Sequence, residues 1–208
     1  MSEQEKLKIF DEQGSQIGVA TRSEVHRLGH WHEAFHCWFV CHEHGVAYIY
    51  LQLRSEHKKD YPNLFDITAA GHLLANEKVE DGVREIKEEI GIDVAIEELI
   101  GLGVIKYTVF EEHFIDREFA NAFLYICSHP FEDFTLQKEE VSGMVRVKFT
   151  DFAQLWTGEK DEVEISGFEV NRDGSKRIIK EVFVHRNQFV PHPDDFYREV
   201  VERIGKHL

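Results

Sequence analysis

Val79-Glu80-Asp81-Gly82-Val83-Arg84-Glu85-Ile86-Lys87-Glu88-Glu89-Ile90-Gly91 decides how the rest of the chain is read. Val79, Val83, Ile86 and Ile90 recur at helical spacing and form one apolar stripe. The pattern predicts a helix from about Val79 to Ile90, stopped by Gly91. Glu85, Glu88 and Glu89 fall within about 100° of one another on a different face. Three carboxylates that close repel each other. A divalent cation removes the repulsion, because Mg²⁺ takes oxygen ligands and bridges carboxylates to phosphate oxygens. Taken alone, an Arg-Glu-x-x-Glu-Glu string also reads as a solvated acidic helix face.

The surroundings favour the cation. Gly71 is followed by five residues, Glu77, six residues, and then Arg84-Glu85-Ile86-Lys87-Glu88-Glu89-Ile90-Gly91-Ile92. This resembles the Nudix box, G-x(5)-E-x(7)-R-E-U-x-E-E-x-G-U, where U is a bulky aliphatic residue. The second half agrees at every fixed position. The spacer between Glu77 and Arg84 is one residue short, and since the apolar stripe holds register from Val79, the loss is expected in the loop or first turn. Strand order and short local phrases extend the likeness from roughly Leu7 to Phe152.

The resemblance implies a pyrophosphohydrolase acting on acid anhydrides in phosphorus-containing substrates. It implies Mg²⁺, or Mn²⁺ in its place, and cleavage of a diphosphate linkage in a nucleoside diphosphate derivative or similar small molecule. Glu85, Glu88 and Glu89 look like the metal ligands, with Glu88, Glu89 and Arg84 in the catalytic set and Arg84 orienting the acids. Gly71 would permit the tight loop before the helix and border the substrate. Leu51-Gln52-Leu53-Arg54-Ser55, followed by Lys58, resembles a phrase shared by isopentenyl diphosphate isomerases and some Nudix hydrolases. Arg54 and Lys58 would there meet phosphate oxygens; the alternative is surface charge. Asp116 and Glu118 share a face at the start of a strand. The isomerases carry paired acids at the corresponding place, so Glu118 joins the metal set, or else marks an acidic strand end. The proton acceptor would be one of the three helix glutamates, Glu118, or Glu140, whose Glu139-Glu140 pair otherwise reads as a solvated loop.

Two other functions stand beside hydrolysis. Isomerisation of isopentenyl diphosphate uses a cysteine in those enzymes, and Thr68-Ala69-Ala70-Gly71-His72 has alanines where it would be. A non-catalytic nucleotide-sensing module would often have lost a metal carboxylate, and none is missing. His32-Glu33-Ala34-Phe35-His36 spells a zinc-protease motif, but that chemistry needs a helix. On the strand expected here, residues four apart are about 13 Å apart, too far to share one Zn²⁺. These histidines are expected as buried hydrogen-bonding groups or pocket walls, and Cys37 and Cys41 as buried thiols.

The chain has 208 residues, 42% of them hydrophobic, enough for one domain with a real core. A formal net charge of −15 disfavours binding nucleic acid along the surface, whereas a small phosphorylated ligand can follow a bound cation. Three cysteines form no disulfide framework, no apolar run suits a signal peptide or membrane span, and a cytoplasmic protein is expected.

A hairpin is predicted around Asp11-Glu12-Gln13-Gly14 and a second one joins Phe35–Cys41 to Val46–Leu53. Later strands are predicted at Gly103–Phe110, Glu118–Cys127, Val145–Phe149, Phe168–Val170 and Ile178–Val184, with helices at Asp151–Trp156 and near Phe196–Ile204. The fold class is α/β: a Nudix-like α/β/α sandwich with a mixed sheet, an N-terminal β-hairpin and a C-terminal helical extension. Residues 1–208 are expected as a single Nudix domain, with 1–27 the hairpin, 28–157 the core and 158–208 the extension. The exposed edge of the hairpin suggests a homodimer.

Overall fold

The fold is organised around β3 (Trp31–Glu43), whose side chains are buried on both faces of the sheet. Trp38 and Val40 enter one apolar core, while Phe35, Cys37, Phe39 and Cys41 enter the other. A strand covered on both sides reads as an almost continuous apolar run, as this one does. The computed structural model describes residues 3–111 and 114–208.

β3 pairs antiparallel with β4 (Val46–Arg54) and with the short β6 (Ala69–His72). It runs parallel to β8 (Phe114–Ile126), which is the hairpin partner of β7 (Ile100–Glu111). β5 (Phe65–Asp66) pairs with β4. The N-terminal hairpin of β1 (Lys6–Phe10) and β2 (Gln16–Thr21) joins β3 at Phe10 and Trp31. On the far side, β9 (Val141–Lys148), β10 (Glu162–Val170) and β11 (Lys176–His185) extend the sheet from β4. The sheet is therefore mixed, and helices cover both of its faces. α3 (Phe149–Thr157) and α4 (Asp194–Gly205) bring Phe152, Leu155, Phe196, Val200 and Ile204 to one core. α2 (Arg84–Ile90) brings Ile86 and Ile90 to the other.

The structure departs from the sequence reading in two instructive places. The helix expected over 79–90 begins as a 3₁₀ turn, Val79–Val83, and becomes α-helical only at Arg84. A 3₁₀ turn rises about 2.0 Å per residue against about 1.5 Å for an α-helix. Fewer residues then span the same gap, which accommodates the short spacer. Gly82 lies in that turn because the Phe35 ring leaves no room: a Cβ there would sit 2.6 Å from its Cγ. The second departure is α1 (Arg22–Leu28), which the periodicity did not predict. Its apolar stripe is too short to register, but its start is written in the sequence. Thr21 Oγ1 accepts from the Glu24 amide at 3.3 Å, and Glu24 Oε2 accepts from the Thr21 amide at 3.1 Å. Thr21-Arg22-Ser23-Glu24 is thus a capping box. Among the described residues, no helix is long and apolar enough to cross a membrane.

Candidate active site

α2 packs its acidic edge against the backbone of β6, and both of its inward glutamates are buried. Glu89 Oε2 accepts from the Ala70 amide at 3.0 Å and from Gln52 Nε2 at 3.3 Å. Glu85 lies directly over Gly71, where a Cβ would stand 2.1 Å from Glu85 Oε1. Gly71 is thus inside a strand, not a tight loop, and it lets a carboxylate approach the backbone closely. Arg84 ties the acids together. It donates to both oxygens of Glu77, at 2.6 and 3.1 Å, and to Glu88 at 3.0 Å, and contacts Glu85 at 2.7 Å. Glu77 also accepts from the Leu74 amide at 2.8 Å, so the short spacer leaves it in place. Burial pushes the Glu85 carboxyl up to about 7, against the pull of Arg84. Burial, with the charge of Glu85 adding to it, pushes Glu89 up to about 8. Glu88 is exposed. Glu140 borders the same cleft and accepts from Lys58.

A second cavity adjoins this cleft, and His72 lines both. Here Glu118 contacts His36 at 3.1 Å and His72 at 3.5 Å and accepts from the Tyr107 hydroxyl at 2.5 Å. One donor atom each from His26, His32, His72 and Asp116 lies within 4.8 Å of the others. Nε2 of His26, Nε2 of His32 and Oδ1 of Asp116 are buried without a hydrogen-bond partner. Buried polar atoms are normally satisfied, so such a concentration of orphans fits a cation's ligand set. Burial, reinforced by neighbouring histidines, lowers His26 to about 2 and His32 to about 4, so both are neutral and able to ligate at pH 7. Burial raises Glu118, but hydrogen bonds from His36 and His72 outweigh it and hold the carboxyl well below the usual range. Asp116, buried and facing that charge, is pushed up.

The NUDIX domain model matches residues 30–166. The chain belongs to the Nudix family. It is 39% identical over 202 residues to a Nudix hydrolase of Clostridium acetobutylicum, a match spanning 97% of this chain and 98% of that one. An isopentenyl-diphosphate Delta-isomerase of Aliivibrio fischeri is 33% identical over 142 residues, covering 67% of this chain and 78% of the isomerase. Among solved structures, the fold is similar to that of DR0079 from Deinococcus radiodurans, with a TM-score of 0.53 at 17% identity over 74% of this chain and 90% of that one. With its family match and its hydrolase relative, the protein is a Nudix pyrophosphohydrolase.

The sequence-predicted residues of this Nudix enzyme fall into two groups. Arg84, Glu85, Glu88 and Glu89 border the cleft, while Glu118, Arg54, Lys58 and Gly71 line the cavity. Arg54 is largely occupied: it donates to Asp66 at 2.7 Å and to the carbonyls of Asp60 and Tyr61, propping up the 55–63 loop. His32 and His36 lie on β3, as the strand reading expects, and His36 is outside the four-residue donor group. Sequence reasoning missed His26, His72, Asp66, Tyr107 and His192 as cavity residues. The Gly71-His72 phrase was a signal for His72. His26 was hidden in the unpredicted α1.

Proposed function

We propose that this enzyme is a Mg²⁺-dependent hydrolase, able to use Mn²⁺, that cleaves the diphosphate linkage of a small molecule. The observation that carries this reading is the pair of buried carboxylates, Glu85 and Glu89, raised towards neutral pH by their surroundings. Such a pair is costly without a cation and fits one well. Glu85, Glu88 and Glu89 would hold it, and Arg84 fixes their directions. A cation bound there supplies charge neutralisation and Lewis acidity to the phosphoryl oxygens. Lys58 stands beside the cleft to meet a phosphate oxygen, and Glu140 or Glu118 accepts the proton of the attacking water.

The organic half of the substrate would enter the adjoining cavity. Its volume of about 100 Å³ is small against the 300–1,000 Å³ usual for ligand pockets. A compact group therefore fits better than a nucleoside, although nucleoside diphosphate derivatives stay in the test set. Isomerisation, the activity named for the Aliivibrio relative, fits less well. Ala69 and Ala70 stand beside Gly71, and the three cysteines are buried in the core on the α2 side of the sheet. Three free buried thiols suit a cytoplasmic setting.

Phosphorus NMR tests the proposal. The purified protein is incubated with Mg²⁺ and nucleoside di- and triphosphates, nucleotide sugars, dinucleotides or isopentenyl diphosphate, beside Glu88→Gln and Glu89→Gln. Metal-dependent cleavage falling about a thousandfold in the variants is the expected result. Binding with Mg²⁺ but no cleavage of any compound would make the chain a sensing module.

A further inference from the structure

Beyond β11 the chain turns back across the sheet, and two of its residues, Val190 and His192, line the cavity beside the acids. This segment is fastened at several points. The Val190 amide donates to the Phe65 carbonyl at 2.9 Å, and the Tyr197 hydroxyl donates to the Val190 carbonyl at 2.7 Å. Tyr197 is itself stacked on Trp156, with ring centroids 3.6 Å apart. The His192 ring is wedged edge-on to Tyr107 at 5.2 Å and beside Phe196 at 4.7 Å. Its Nε2 reaches Asp66 Oδ1 at 3.4 Å, and the side chain is only 10% exposed. Asp66 is fixed in turn by Arg54 and by the Ile67 amide.

Resting on the reading that the organic half of a diphosphate occupies this cavity, we propose that Val190 and His192 are the stop that sets how long a group the enzyme accepts. A wall limits length only if it cannot swing aside. His192 is gripped by two aromatic rings and a carboxylate, and Val190 is held through its own backbone on both sides. Ala34, Ala70 and Gly71 line the same cavity with small side chains, and Ile67, Tyr107 and Phe114 line it with large ones. Val190 and His192 are the walls that the C-terminal segment supplies, and length selection is placed on them while the chemistry stays with the acids.

The test uses monoalkyl diphosphates from ethyl to decyl with Mg²⁺, reading kcat/KM against chain length for the full-length enzyme, His192→Ala and Val190→Phe. The wild-type profile should fall sharply beyond a short chain. His192→Ala should raise the long-to-short ratio of kcat/KM about tenfold at the first rejected homologue, and Val190→Phe should lower it about tenfold at the longest accepted one. Opposite shifts cannot come from general loss of folding, which melting curves monitor. A cut-off that stays put in both folded variants overturns the stop and leaves the hydrolase reading standing. Cleavage of nucleotide sugars but of no alkyl diphosphate overturns the stop together with the compact substrate. If nothing in either set is cleaved, calorimetric binding of the same alkyl series decides: a cut-off in affinity shifted in opposite directions by the two variants supports the stop, and any other result rejects it.

Discussion

The glutamate cleft and the histidine-lined cavity meet at His72, yet they bury Glu118 and the paired Glu85 and Glu89 in opposite ways. In the cavity Glu118 is answered from within, by His36, His72 and the Tyr107 hydroxyl, and stays ionised despite full burial. In the cleft Glu85 and Glu89 have Arg84, an amide and a glutamine for company, and burial still pushes both upward. Glu118 therefore has its charge balanced from within, although Asp116 Oδ1 and the Nε2 atoms of His26 and His32 beside it have no hydrogen-bond partner. The glutamate cleft is short of positive charge, which is the condition of a site built for a cation and a polyanionic substrate.

The sharpest way to separate the two is at their shared strand. Gly71→Ala places a Cβ where Glu85 Oε1 stands, and the carboxylate has to move. We expect hydrolysis to fall about a hundredfold, a loss typical when ligand orientation is disturbed. Electron density or NMR shifts should show Glu85 displaced, with Glu118 and its histidines in place. An alanine variant of full activity would mean that Glu85 contributes little to the chemistry.

The two regions should also tilt stability with pH in opposite directions. Glu85 and Glu89 have folded pKa values raised above the ordinary 4.5. Their contribution is present below about 4.5 and lost as pH climbs through about 7 to 8. His26 and His32 have folded values lowered from 6.5, so theirs is present above 6.5 and lost as pH falls. Denaturant melts of metal-free protein should show Glu89→Gln gaining roughly 2 kcal/mol at pH 8 and little at pH 5. His26→Gln should relieve the loss on the acid side instead. Added Mg²⁺ should recover stability at pH 8 in wild type and much less in Glu89→Gln. Identical pH profiles for the two variants would erase the contrast.

The same contrast explains what could be read from the sequence. Three carboxylates of the cleft, Glu85, Glu88 and Glu89, come from one seven-residue helix, so their spacing is a local property that periodicity exposes. The strand β3 and the helices that cover the sheet were legible for the same reason, since the apolar run of β3 and the stripes of α2 and α4 are written within single segments. The cavity is assembled from residues 26, 36, 66, 72, 107, 118 and 192, which meet only through the parallel β3–β8 pairing, α1 and the return of the C-terminal segment. No spacing rule joins positions so far apart. The tight role of Gly71 was also beyond reach, because it depends on a carboxylate fourteen positions later packing onto the strand.

The smallest effect expected concerns α1, which holds His26 over the cavity and nothing over the cleft. Its capping box links Thr21 to the amide of Glu24 and back again. Thr21→Ala removes one half of that exchange and should cost about 1 kcal/mol in a urea melt. The helix has seven residues, and Val25 is its one apolar side chain in the core, so little packing compensates for a frayed start. Hydrogen exchange should quicken at the amides of residues 22–25 and leave α2 unaffected, because α2 starts from the 3₁₀ turn and is anchored by Arg84 and Ile86. If exchange quickens equally in α2, the two regions share one cooperative unit, and the division drawn between them is chemical without being mechanical.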